Sequence, residues 1–160
     1  MESGCPQCGS LDEAHRVGEA TRARMIDTAM AWPFERIVAR YVKDGADPLH
    51  AALHERELKR FLLLCSIYPN RNFGMAGPVD ELWHTFLLFT GPYVRFCAQV
   101  AGRFLHHAPA SGNGGGAADI GPYLLFLSCY EQTFGVRAPG RAWPTPDIGF
   151  EVVRWGDSRR

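Results

Sequence analysis

Every periodic apolar stretch of this chain repeats at spacings of three and four residues and stops at a glycine or a proline, and none alternates convincingly with period two. That pattern is helical. Neighbouring runs carry no hairpin signal between them, so the expectation is an all-α fold without appreciable sheet. The chain has 160 residues, 46% of them hydrophobic, which suffices for one sizeable core and hardly for two. A single compact domain of about six helices with an irregular C-terminal tail is therefore predicted.

The punctuation sets the boundaries. Ser10-Leu11-Asp12-Glu13 forms a capping box for a segment running to about Ala31, and Phe34, Ile37, Val38 and Tyr41 share a face until Gly45. Asp47-Pro48 supplies an N-cap and a first-turn proline for a longer helix ending before Pro69, with Leu58, Phe61, Leu62 and Cys65 as its inward stripe. After the loop PNRNFGMAGP, the stretch VDELWHTFLLFTGPYVRFCAQVAG predicts two helices broken at Gly91-Pro92. Tyr93, Phe96, Cys97 and Val100 line the second, and Gly102 ends it. Pro122 opens a last helix, with Tyr123, Phe126, Leu127, Tyr130 and Phe134 on one face, which Gly135 stops. Residues 1–9 read as a flexible CPQC segment, 10–137 as a helical domain with a Gly-rich linker at 111–117, and 138–160 as an irregular tail. That tail wraps the core through Trp143, Phe150 and Trp155 or frays.

Charge excludes whole classes of partner. Seventeen basic and seventeen acidic residues leave a formal net charge of zero, so no positive field exists to hold nucleic acid or an anionic membrane. The longest apolar run, Phe61 to Ile67, is too short to span a bilayer, and the N-terminus lacks a signal-peptide pattern. A cytoplasmic location is expected, with the five cysteines reduced or bound to metal rather than paired.

Chemistry concentrates in residues 79–109. Asp80 and His84, four apart on a helix, lie within reach of each other at the seam between its polar and apolar faces, a spacing that chelates a metal or lets a carboxylate orient an imidazole. The adjacent His106 and His107 follow at a helix exit, restrained by Pro109; neighbouring side chains diverge there, so one of the two is expected to turn inward. Asp80, His84 and that imidazole make two nitrogens and one carboxylate, the set that holds non-haem Fe(II) with open positions or a catalytic Zn(II). The same residues also read as a solvated helix face with a His-Asp pair.

Other ligands are conceivable at lower specificity. Cys97 is expected in the core, yet a thiolate there would favour zinc or copper over Fe(II). His50 and His54 repeat the four-residue spacing, although HAALHERELKR also reads as the charged front of an amphipathic helix. Cys5-Pro6-Gln7-Cys8-Gly9 resembles one zinc knuckle, half of a closed site, which is either a second zinc site or an end with two free thiols.

VDELWHTFLLFT, YVRFC, GRFLHHAP, YEQTFG and Trp143-Pro144 together resemble the small bacterial proteins labelled glycine-rich-domain-containing-protein-like. About half of the chain is covered. The comparable motif of plant glycine-rich-domain proteins carries an aspartate ahead of Trp-His, matching Asp80, Trp83 and His84. That resemblance implies no settled reaction; Tyr93, Cys97, His106, His107 and Pro109 carry over by position, whereas CPQCG and the His50/His54 pair depart from the family pattern.

The functional expectation is a small metal-binding helical protein holding Fe or Zn. If it is an enzyme, it oxidises or hydrolyses a small molecule or peptide, with Trp83 and Tyr93 shaping the pocket. The alternative is a non-enzymatic protein-interaction module in which the Asp/His cluster is a structural polar network.

Overall fold

The computed structural model describes residues 17–107 and 120–146. The capping box at Ser10, the CPQC segment, the Gly-rich linker, Phe150 and Trp155 lie outside the described residues. Within them the fold is all-α, without a strand. Its helices are α1 (Glu19–Met30), α2 (Glu35–Lys43), α3 (Pro48–Ile67), α4 (Pro78–Leu88), α5 (Thr90–Phe96) and α6 (Ile120–Phe134), with a π turn (Cys97–Ala101) that continues α5.

Helix α3 is the axis of the molecule. Its start follows the sequence signal, since the Asp47 carboxylate accepts the Leu49 N–H at 2.9 Å and Pro48 occupies the first turn. Leu58 and the four consecutive residues Phe61 to Leu64 are all essentially inaccessible, so the C-terminal half of the helix is enclosed on every side, while Leu49, Ala52 and Arg56 leave the first half open to solvent. It packs against α1, α2, α4, α6 and the π turn. Truncating Phe61, whose ring meets Trp83, Phe126 and Trp143, should cost about 3–5 kcal/mol.

Two charged residues of α3 are buried because each is fully partnered. The Lys59 ammonium donates to the Met30 and Trp32 carbonyls at the end of α1, at 3.2 and 2.8 Å, and to Glu55 at 2.6 Å. It thereby caps α1 from another helix. Glu57 is wholly inaccessible and accepts from Tyr130 at 2.7 Å, Trp143 at 3.0 Å, and Arg56 and Arg60 at 3.2 Å each. One carboxylate thus joins α3, α6 and the turn that carries Trp143 into the core.

Several boundaries differ from expectation. Helix α1 starts at Glu19 with Gly18 as its N-cap, so Val17 and Gly18 lie outside the helix expected from Ser10, and α6 starts at Ile120, two residues before Pro122. The α4–α5 break falls at Phe89, not at Gly91-Pro92. Pro92 is instead tolerated within the first turn of α5, where helical N–H groups have no intrahelical partner to lose. Beyond Phe96 the chain widens into the π turn before Gly102, at φ 68°, ends it in the left-handed region. In the C-terminal stretch, Ala142 and Trp143 are core residues, with the Trp143 ring 4.4 Å from that of Phe126.

Candidate metal centre

Asp80 and Glu81 lie in the first turn of α4, where a helix N-terminus favours negative charge. The entry to that turn is tightly fixed. Gly77 has φ 79°, a Cβ added there would come within 2.7 Å of Pro144, and the Pro78 carbonyl accepts from the Tyr41 hydroxyl at 3.0 Å. Asp80 is therefore presented by a backbone held from both α2 and the C-terminal stretch.

One turn later, His84 Nδ1 lies 2.8 Å from the Asp80 carbonyl oxygen and 3.8 Å from its carboxylate Oδ2. A carbonyl can only accept, so Nδ1 carries a proton, and in the neutral ring the lone pair is then on Nε2. From the segment after the π turn, His107 Nε2 donates to Asp80 Oδ1 at 2.7 Å, and its ring stands 4.3 Å from that of His84. One ligand atom from each of Asp80, His84 and His107 falls within 4.8 Å of the others. The side chain of His107 is only 8% exposed, against 34% for Asp80 and 53% for His84, so the cluster has a buried floor and an open rim.

The inward member of the double histidine is His107. His106 is exposed and packs edge-on against Phe104 at 4.8 Å between ring centroids, outside the cluster. Cys97 is buried in the core beside Tyr93 and is not one of the clustered residues. Tyr93 and Trp83 are both buried, and they fill space rather than line a pocket: Trp83 Nε1 donates to the Tyr93 hydroxyl at 3.2 Å, and the Trp83 ring lies edge-on to His107 at 4.5 Å.

His50 and His54 form a separate group. The half-buried His50 pairs with Asp47 at 2.7 Å and stacks on His54, whose Nδ1 meets the Tyr41 hydroxyl at 3.1 Å. Burial holds the His54 imidazole below its ordinary pKa, partly opposed by a hydrogen bond to the Arg141 backbone. Nδ1 of His54 is thus engaged by the fold. Glu57 and Lys59 are buried polar residues that sequence reasoning did not single out, since EREL reads as a solvated charge pattern until Trp143 and the end of α1 arrive to partner it.

A cavity of about 370 Å³ opens elsewhere, between α1 and the π turn, with Thr21, Arg24, Ser66 and Gln99 among its lining. Among the described residues its lining brings together no set of acids or metal ligands, whereas Asp80, His84 and His107 do converge. No described helix is long and apolar enough to cross a membrane.

No curated protein and no solved structure matches the chain. A family model does, over residues 21–119, more than half of the sequence and a span that includes Asp80, His84 and His107. On that match, the chain belongs to the UCP032817-like family.

Proposed function

We propose that this chain binds a transition metal ion, iron or zinc, through Asp80, His84 and His107. The observation that carries the reading is the mutual approach of one carboxylate and two imidazoles to within 4.8 Å. Ligands bound at about 2.0–2.2 Å to a first-row ion lie roughly 3–3.5 Å apart, so only small side-chain movements close the set. Among the described residues the Asp80 carboxylate pairs with these two histidines and with no lysine or arginine, which leaves its charge to neutralise a cation. His84 also has the outer hydrogen bond, Nδ1–H to a backbone carbonyl, that commonly fixes the tautomer of a ligating imidazole.

Three protein ligands would leave a bound ion free to take further ligands. An ion held there would supply Lewis-acid or oxygen-activating chemistry, and the reaction class we assign is oxidation or hydrolysis of a small molecule or peptide in the cytoplasm. In the glycine-rich-domain-containing-protein-like resemblance, the centre falls on the VDELWH and GRFLHHAP motifs, and we extend the reading to those motif positions.

Elemental analysis of protein purified without a histidine tag, aerobically and anaerobically, tests it. Close to one equivalent of iron or zinc is expected, falling to background in His84→Ala with the helical signal intact. Metal-free wild type that also refuses added Fe(II) and Zn(II) would instead identify the cluster as a polar tether between α4 and the segment after the π turn.

A further inference from the structure

His107 is the most enclosed member of the cluster, yet residues 104–107 belong to no helix or strand. Its placement needs another cause. Arg103 anchors the start of the segment by donating to the Cys65 carbonyl at 2.8 Å. Leu105 is buried, and its carbonyl accepts from the Tyr93 hydroxyl. That hydroxyl in turn accepts from Trp83 Nε1, one residue before His84 on α4. In an extended segment side chains alternate, so a Leu105 that faces inward puts His107 inward and His106 out. A slip of one residue would exchange the two histidines.

We propose that Tyr93 is a positioning residue of the metal centre: by holding the Leu105 carbonyl, its hydroxyl sets the register that aims His107, rather than His106, at Asp80. Its effect on metal rests on the function proposed above; its effect on the His107 ring does not. Burial raises the Tyr93 hydroxyl well above the ordinary phenol range, so it remains a neutral donor throughout the pH range in which the protein is handled. The Tyr93 ring also packs on Phe86 and Phe104, at 5.0 and 5.3 Å, which Tyr93→Phe preserves while removing only the hydroxyl.

The test compares Tyr93→Phe with Tyr130→Phe, which deletes another buried hydroxyl, the one bonded to Glu57, far from the cluster in the hydrogen-bond network. Titration with Zn(II) and Co(II) should show affinity about 10–100-fold weaker in Tyr93→Phe, as for loss of an outer-shell partner. The Co(II) ligand-field spectrum should change with it, while Tyr130→Phe stays within about twofold of wild type. In metal-free protein, the histidine ring ¹H–¹³C correlations, assigned through His106→Ala and His107→Ala, should show His107 moving towards the exposed His106 position in Tyr93→Phe alone. Should Tyr93→Phe not fold, Trp83→Phe, which removes the N–H donated to the hydroxyl, is expected to shift the same ring signal and weaken Co(II) binding by a smaller factor. A Tyr93→Phe protein with unchanged affinity and an unchanged His107 signal overturns the proposal, as does an equal effect of Tyr130→Phe. A wild type that takes up neither ion refutes the metal centre, and the ring spectra then decide the positioning role alone.

Discussion

Glu57 and Asp80 are both carboxylates that draw side chains from several parts of the chain, but the company they keep differs in kind. Glu57 is sealed from solvent and accepts from two arginines, a tyrosine and a tryptophan, so its charge is neutralised and its oxygens are occupied. Asp80 stays one-third exposed and, among the described residues, meets only histidines, whose rings carry nitrogen donors suited to a metal ion. The first arrangement fastens helices together. The second keeps one carboxylate and two imidazoles near one another, with no fixed countercharge among the described residues. Burial of a carboxylate therefore does not by itself separate the two clusters; the identity of its partners does.

The sharpest way to break this comparison is to remove each carboxylate and read stability. Glu57→Ala should cost about 3–5 kcal/mol, because Arg60, Tyr130 and Trp143 are left with unpaired donors around a cavity. In thermal unfolding that is a fall in Tm of roughly 10 °C or more. Asp80→Ala should cost below about 1 kcal/mol in metal-free protein, as expected for a partly exposed pair. Equal losses from the two variants would erase the distinction.

Metal content separates the clusters next. Asp80→Ala, His84→Ala and His107→Ala should each lose bound iron or zinc, with affinity reduced at least about 100-fold, whereas His54→Gln should retain it. His107→Ala should also show some loss of stability, since it removes the 2.7 Å tether to α4. Inductively coupled plasma measurements on the four proteins check this. Metal lost from His54→Gln and kept in His84→Ala would assign the site to the wrong histidines.

Acid should expose a further contrast through His54. This imidazole faces Tyr41 from α2, Asp47 and His50 at the start of its own helix, Glu81 from α4 and Arg141 from the C-terminal stretch, and burial is the largest influence on it. Its folded-state pKa is lowered, so the unfolded chain binds the proton more strongly. The stability due to neutral His54 is complete above the unfolded value, about 6.5, and is lost as pH falls through the folded one. One proton sets a slope of at most about 1.4 kcal/mol per pH unit. Urea unfolding between pH 5 and 8 should show that decline in wild type and a flatter profile in His54→Gln; identical profiles would remove His54 from the account.

How much of this was readable in advance follows from which signals are local. The Asp47-Pro48 cap, the stop at Gly102 and the glycine after α6 act within a few residues, so composition and spacing suffice to place them. The i, i+4 pair of Asp80 and His84 is equally local. The π turn left no sequence mark, because it arises from how Cys97 to Ala101 fit against α1 and α3. Glu57 resembled a surface glutamate for the same reason: Tyr130 and Trp143, the residues that bury it, lie more than seventy positions away. Long-range partners are invisible to periodicity.

The smallest expected effect concerns His106, and it tests the comparison most finely, since His106 and His107 are the same residue type in adjacent positions. Their sequence signals are indistinguishable. Only the inward set of Leu105, held through its carbonyl by Tyr93, separates them, sending His107 to Asp80 and His106 to solvent beside Phe104. His106→Ala should therefore change unfolding free energy by less than about 0.5 kcal/mol and leave metal stoichiometry at the wild-type value, as surface substitutions usually do. The small loss that does occur comes from uncovering Phe104, which is already 44% exposed. Equilibrium unfolding and elemental analysis of His106→Ala beside His107→Ala decide the point: metal lost from the first and retained by the second would mean that the segment binds in the alternative register, with His106 as the ligand.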